Sequence, residues 1–192
     1  MIGAIDGTHI PIKSPGGNDA ELYRNRKGYF SLNVQAIVDS TCKFTDIVVR
    51  WPGSTHDATI FNSQICQHFE CNKFDGFLLG DSGYPCKKYL LTPFLNPNTQ
   101  AQHRYNQSHV ATRSVVERTF GQWKERFRCL LTPLRMALPN SQNVVIAAAC
   151  LYNLAISLNI PIPEDNEEFD MTNFSDHINN ERNIARRPYS PR

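Results

Sequence analysis

Three carboxylates spaced widely along the chain constrain it most. The apolar run Phe77-Leu78-Leu79 ends in Gly80-Asp81 and breaks at Ser82-Gly83, which reads as a short buried strand delivering an acid to its end. Glu117 follows 36 positions later, on the amphipathic segment VERTFGQWK. Asp6 lies in the opening segment GAIDGTHIPI, where Ile2, Ala4, Asp6, Thr8, Ile10 and Ile12 share one face of a strand. An acid among apolar strand residues is costly unless it is paired or bound to a cation; the alternative is a turn at Asp6-Gly7. Two acids at strand positions and one on a helix make the arrangement that two-metal phosphoryl transfer uses, and the remaining segments read as its scaffold.

At 192 residues, the chain is long enough for one domain with a substantial core, followed by a tail. No apolar run approaches the ~18 residues of a membrane span, so no membrane partner is expected, and no signal-peptide pattern opens the sequence. The cysteines lack paired spacing. Cys66-Gln67-His68 with Cys71 offers half a zinc set, but no second half-site follows, and free thiols of a reducing compartment are the simpler reading. The net charge of +2 conceals an asymmetry: residues 164–192 carry seven acids and four Arg, leaving 11 acids against 16 Lys and Arg before them. A basic body argues for an anionic partner such as nucleic acid.

In chain order, Ser14 to Asn18 form a loop. The stretch 22–30 then interleaves Arg24, Arg26 and Lys27 with Tyr23, Tyr29 and Phe30, a mixture suited to backbone and stacking contacts with nucleic acid or to a solvated loop. Residues 29–39 and 44–51 alternate and are joined by a polar turn, so they form an antiparallel hairpin that extends the first strand into a three-stranded meander. Ser54-Thr55-His56-Asp57 has capping-box character and opens a helix to about Phe69. Asp57 is therefore either a cap or a ligand, and His56 either a substrate contact or a loop residue. A right-handed crossover through this helix lays strand 77–80 parallel to an earlier strand, bringing Asp6 and Asp81 together if that neighbour is the first strand.

Residues 87–91 read as a short helix, and 92–108 as a polar excursion facing substrate. A long helix is expected from His109 to about Leu131. At 100° per residue, Arg113, Lys124 and Arg128 fall within about 40° of Glu117, beside an apolar stripe of Val116, Phe120, Trp123 and Phe127. Bases flanking an acid serve either as salt-bridge partners or as contacts for a phosphate backbone. A final helix begins near Leu138, and residues 144–158 are apolar nearly all round, which predicts burial against the sheet. Residues 161–192 are acidic, Asn-rich and punctuated by Pro, the composition of a disordered tail.

The order strand, hairpin, helix, strand, helix, with acids meeting across it, describes an α/β ribonuclease H-like fold: a mixed sheet, an antiparallel meander plus a parallel strand, flanked by helices. Four motifs carry a resemblance: IDGTHIPI (5–12), PGSTHDATIF (52–61), GDSGYP (80–85) and ATRSVVERTFGQWKERFRCL (111–130). Together they resemble the DDE nuclease domain of PIF/Harbinger-type transposases, especially the domesticated harbinger transposase-derived nucleases, over roughly residues 1–158. The resemblance implies metal-binding roles for Asp6, Asp57, Asp81 and Glu117, with catalysis by Asp6, Asp81 and Glu117. Carboxylates suit Mg²⁺ or Mn²⁺, and a two-metal displacement requires no His, Cys or Ser nucleophile.

The resemblance also implies a DNA substrate, for which the residues read above, Arg24, Arg26, Lys27, His56, Arg113, Lys124 and Arg128, are the contact candidates. It further implies a nuclear location, with cytoplasm as a second compartment, and a Myb/SANT-like partner; a homo-oligomer is a separate expectation. Family members carry a helix-turn-helix region before the first strand, whereas Asp6 stands only five residues after Met1; sequence-specific recognition is then expected to need another protein. Three functions follow: a metal-dependent DNA endonuclease over a domain 1–160, a domesticated binding module that does not cleave, and a nuclease acting on RNA.

Overall fold

The computed structural model describes residues 2–63, 66, 69 and 76–162. The first segment forms strand β1, Gly3–Pro11, and the predicted hairpin forms β2, Ser31–Val38, and β3, Phe44–Pro52. A short helix α1, Asp57–Ser63, leads toward the two-residue strands β4, Leu78–Leu79, and β5, Leu90–Leu91. Two long helices complete the unit: α2, Gln100–Arg126, and α3, Leu138–Ser157. The sheet order is β3-β2-β1-β4-β5, with β1 antiparallel to β2 and parallel to β4. This is the ribonuclease H-like mixed sheet expected from the sequence, and the crossover does place β4 on the first strand.

Because β1 and β2 are interior and the sheet is covered on both faces, all eight positions of β2 are buried. Alternation divides the core in two. Ala4, Ile10, Leu32, Val34 and Ala36 face α2 and α3, where they meet Val116, Phe120, Trp123, Val145 and Tyr152. Ile5, Ile37 and Leu78 face the other way, onto Ile60 and Phe61 of α1 and onto Tyr84 and Tyr89. Asn153 of α3 ties this helix to the sheet, its Oδ1 accepting from the Phe44 N–H at 2.9 Å and its Nδ2 donating to the Phe44 carbonyl at 2.7 Å.

Several boundaries differ from expectation, each for a local reason. Helix α2 begins nine residues earlier than predicted, because Thr99 and Gln102 form a complete capping box. It ends at Arg126, where Phe127 leaves helical geometry (φ −117°, ψ 74°). Residues 87–91 are not helical: Leu90 and Leu91 pair parallel with Leu78 and Leu79, extending the sheet instead. Helix α1 starts two residues later than a cap at Ser54 would place it, since the His56 carbonyl accepts from the Thr59 and Ile60 N–H groups. Helix α3 is buried on one side only, with Ile146, Leu151, Leu154 and Leu158 exposed. From Val144 onward its exposed positions are nearly as apolar as its buried ones, so the pattern alone could not orient it; Val145, Ala148, Ala149, Tyr152 and Ala155 lie on the packed side. The tail expected after residue 160 and the Cys71–His68 pair lie outside the described residues. Among those described, no helix is long and apolar enough to cross a membrane.

Candidate active site

The acids gather where β1 outruns its neighbour. Strand β4 pairs with β1 only at Gly3 and Ala4, in the register Ala4↔Leu79. The residues two positions beyond, Asp6, still within β1, and Asp81, just past β4, therefore lie at the same level. Burial is the main influence on Asp6, raising its carboxyl from the ordinary 3.8 to about 6; the Gly7 N–H and Arg113 oppose this, and the neighbouring Asp81 charge adds to it. Asp81 is held in its turn by the Gly83 N–H, which donates to Oδ1 at 2.9 Å.

Helix α2 supplies Glu117 and Arg113, one turn apart on the face turned to Asp6. The Arg113 guanidinium donates from Nη1 to Asp6 Oδ2 at 2.7 Å and from Nη2 to Glu117 Oε1. It thus stands between these two acids as their shared counter-charge, burying itself with Asp6 while Glu117 remains more than half exposed.

Asp57 approaches from the opposite face. Its carboxylate accepts from Asn33 Nδ2 at 2.8 Å, and Gln35 Nε2 donates both to its main-chain carbonyl and to the Tyr84 hydroxyl, each at 2.9 Å. Gly7 makes the approach feasible, because a Cβ there would stand 2.4 Å from Asp57 Oδ1. Gly7→Ala must push Asp57 aside, and we expect it to cost about 1–3 kcal/mol in urea denaturation; an unchanged midpoint would mean that Asp57 moves freely. Tyr84 sits among the acids. Its hydroxyl is pushed well above its usual range by burial first, then by Asp57, Asp6 and Asp81.

The predicted DNA contacts do not form one set. Arg113 and Lys124 reach β1, with Lys124 Nζ donating to Thr8 Oγ1 at 2.7 Å and to the His9 carbonyl at 3.0 Å, and the charge of Lys27 reaches Lys124 and His9. Arg26 and His56 meet each other, Arg26 Nη2 against His56 Nδ1. Arg24 is used by its own loop: it pairs with Glu21, donates to the Gly28 carbonyl at 2.8 Å and covers the Phe30 ring. Arg128 lies in the 3-10 turn Arg128–Leu130 after α2, so the helical spacing that put it beside Glu117 does not extend to it. Asn33, Gln35, Tyr84 and His9 were not singled out from the sequence. Asn33 and Gln35 had a visible signal: amides at alternate positions of a strand too apolar to face water.

In this conformation no group of three His, Cys, Asp or Glu side chains among the described residues is placed to hold a metal ion. The donor set itself suits a hard divalent cation, since the acids supply only oxygen. Burial keeps the Asp6 carboxyl raised even beside Arg113. One pH dependence follows. Asp6 binds its proton more tightly folded than unfolded, so its stabilising effect is complete below about pH 4 and is lost as the pH rises through about 6. We expect a decline of order 1–3 kcal/mol in chemical denaturation, flattened by Asp6→Asn; an equal slope in the variant would assign it to other groups.

Residues 5–153 match the family model described as DDE superfamily endonuclease. Among curated proteins, the chain is 35% identical to "Putative nuclease HARBI1" of Homo sapiens and 37% identical to that of Rattus norvegicus, in each case over 81% of this chain and 46% of the relative. It is 26% identical to "Protein ALP1-like" of Arabidopsis thaliana, over 81% of this chain and 43% of that protein. The chain thus spans about half the length of the curated relatives it matches. No solved structure matches it.

Proposed function

The chain belongs to the DDE superfamily endonucleases, and from that membership we propose that it is the catalytic domain of a divalent-metal-dependent DNA endonuclease of transposase origin. The observation that carries this reading is the convergence of Asp6, within β1, and Asp81, just past the end of the parallel strand β4, with Glu117 of α2 joined to Asp6 through Arg113. Asp6, Asp81 and Glu117, with Asp57 from the opposite face, are the residues that would hold Mg²⁺ or Mn²⁺. Bound there, a divalent cation supplies Lewis acidity and an activated water for phosphodiester cleavage.

The protein's own contribution is positioning. Asn33 and Gln35 fix Asp57, Gly7 lets it close on β1, and the turn at Gly83 holds Asp81. Arg113 provides a counter-charge at the point where a phosphodiester would meet the acids. The test is nicking of supercoiled plasmid with Mg²⁺ or Mn²⁺, wild type beside Glu117→Ala. Nicking by the wild type alone supports the reading; equal nicking by both sinks it.

A second reading, a domesticated nuclear module that binds DNA or a Myb/SANT-like protein without cutting, is favoured by one feature. Arg113 already neutralises Asp6 and Glu117, so the acids are paired without a metal. A folded wild type that binds duplex DNA and leaves plasmid intact at millimolar Mn²⁺ would support it. Nuclear location and self-association belong to either reading.

A further inference from the structure

Between its pairing with β4 and its contact with Leu134, no strand among the described residues pairs with the outer edge of β1. Strand β4 stops at Ala4, and the next cover is Leu134, whose N–H donates to the Pro11 carbonyl and whose carbonyl accepts from the Lys13 N–H. The edge in between carries the acids at one end. At the other, Lys124 is inserted over Thr8 and the His9 carbonyl. Thr8 is two residues beyond Asp6 on the same face of β1, ~6.6 Å along the strand.

Lys124 is a cation without an anion. Its two recorded partners are a hydroxyl and a carbonyl, and no carboxylate among the described residues pairs with it. Burial first, and then Lys27, lower its pKa from the ordinary 10.5 to about 8. Lys27 and Arg26 are themselves exposed, and the charges of Lys124, Lys27 and Arg26 all reach His9, whose Nδ1 is engaged by Ser31 Oγ at 3.1 Å. Leaving a half-buried ammonium without a counter-charge is unfavourable, and an anion seated beside it would offset that.

We propose that Lys124, over Thr8 at the edge of β1, with the neighbouring charge of Lys27, forms an anion site that holds a backbone phosphate of the DNA strand next to the phosphate presented to Asp6, Asp81 and Glu117. This assignment rests on the nuclease reading for the identity of the ligand, while the site itself stands on the unpaired lysine. The strand would run along this edge, its register on the acids fixed by the neighbouring phosphate.

Two probes separate the site from the reading. The first is inorganic phosphate against chloride at equal ionic strength, followed by thermal unfolding of the full chain. Phosphate should raise the midpoint of the wild type and leave Lys124→Gln unmoved, with Lys27→Gln responding weakly. Lys124→Gln removes a half-buried charge and keeps a polar tip, so it should fold, and Lys27→Gln alters an exposed residue as a second check. The second probe is a labelled 20-base-pair duplex in Ca²⁺ at several salt concentrations. We expect Lys124→Gln to bind roughly tenfold more weakly, with the slope of log affinity on log salt reduced by about 1. Equal phosphate stabilisation in wild type and Lys124→Gln would overturn the site. Unchanged duplex affinity and salt slope in that variant would overturn its role in holding DNA, even if plasmid cleavage is intact. A Lys124-dependent phosphate response with no duplex binding by the wild type would support the anion site and overturn the nuclease reading.

Discussion

Asp81→Ala should abolish plasmid cleavage, a loss of at least about a thousandfold, while the protein unfolds within about 1 kcal/mol of the wild type. The small structural cost follows from the side chain's position at the end of β4, where its recorded bond is to the N–H of Gly83 in the same turn. The large functional cost follows from its closeness to Asp6: with Asp81 gone, no second acid remains at the end of an adjacent strand. Circular dichroism and urea midpoints of the variant, taken beside the nicking assay, decide the matter. A variant that loses its secondary structure would make Asp81 a structural residue, and one that still cuts would remove it from the site.

Trp123→Ala should have the largest effect on stability, about 3–5 kcal/mol, read as a fall in the urea midpoint. Trp123 is fully buried and lies edge-on to Phe44 at 5.1 Å between ring centroids, with Phe120 at 6.4 Å. Phe44 opens β3 and is also against Tyr152 of α3, so these rings join both long helices to the sheet. Because Trp123 lies one residue before Lys124 and two turns of α2 beyond Glu117, loosening it also loosens the helix that carries both. Trp123→Phe should recover much of the loss. A midpoint for Trp123→Ala within 1 kcal/mol of the wild type would mean that the aromatic cluster is not what holds α2 down.

The parts of this molecule that were readable in the sequence are those where one physical requirement acted alone. Alternation revealed β1 to β3, because a sheet covered on both faces still divides its residues by parity. The crossover rule made β4 parallel to an earlier strand, and its pairing with β1 brings Asp6 and Asp81 together. Helical spacing placed Arg113 next to Glu117 on α2, as the ion pairs show.

What escaped had competing or weak signals. Leu90-Leu91 is an apolar doublet with no period of its own, and only the edge of β4 makes it a strand. Thr99 and Gln102 spelled a capping box, but the polar residues between them and His109 disguised the first turns of α2. The apolar sequence of α3 matched several orientations, and tertiary packing chose one that leaves Ile146, Leu151, Leu154 and Leu158 outside. Within the site, the acids were visible as misplaced charges. The supporting amides Asn33 and Gln35 and the hydroxyl of Tyr84 are ordinary residues that become informative only when Asp57 is seen between them.

The central claim, that these separated acids hold a divalent cation, is tested most directly by titrating Mn²⁺ into the full chain by calorimetry at pH 7.5, wild type beside Asp6→Asn and Asp81→Ala. The account predicts binding by the wild type, displaced by excess Mg²⁺, and its loss in both variants while their folds persist. Binding of equal strength in either variant, or a folded wild type that takes up no Mn²⁺, would contradict it.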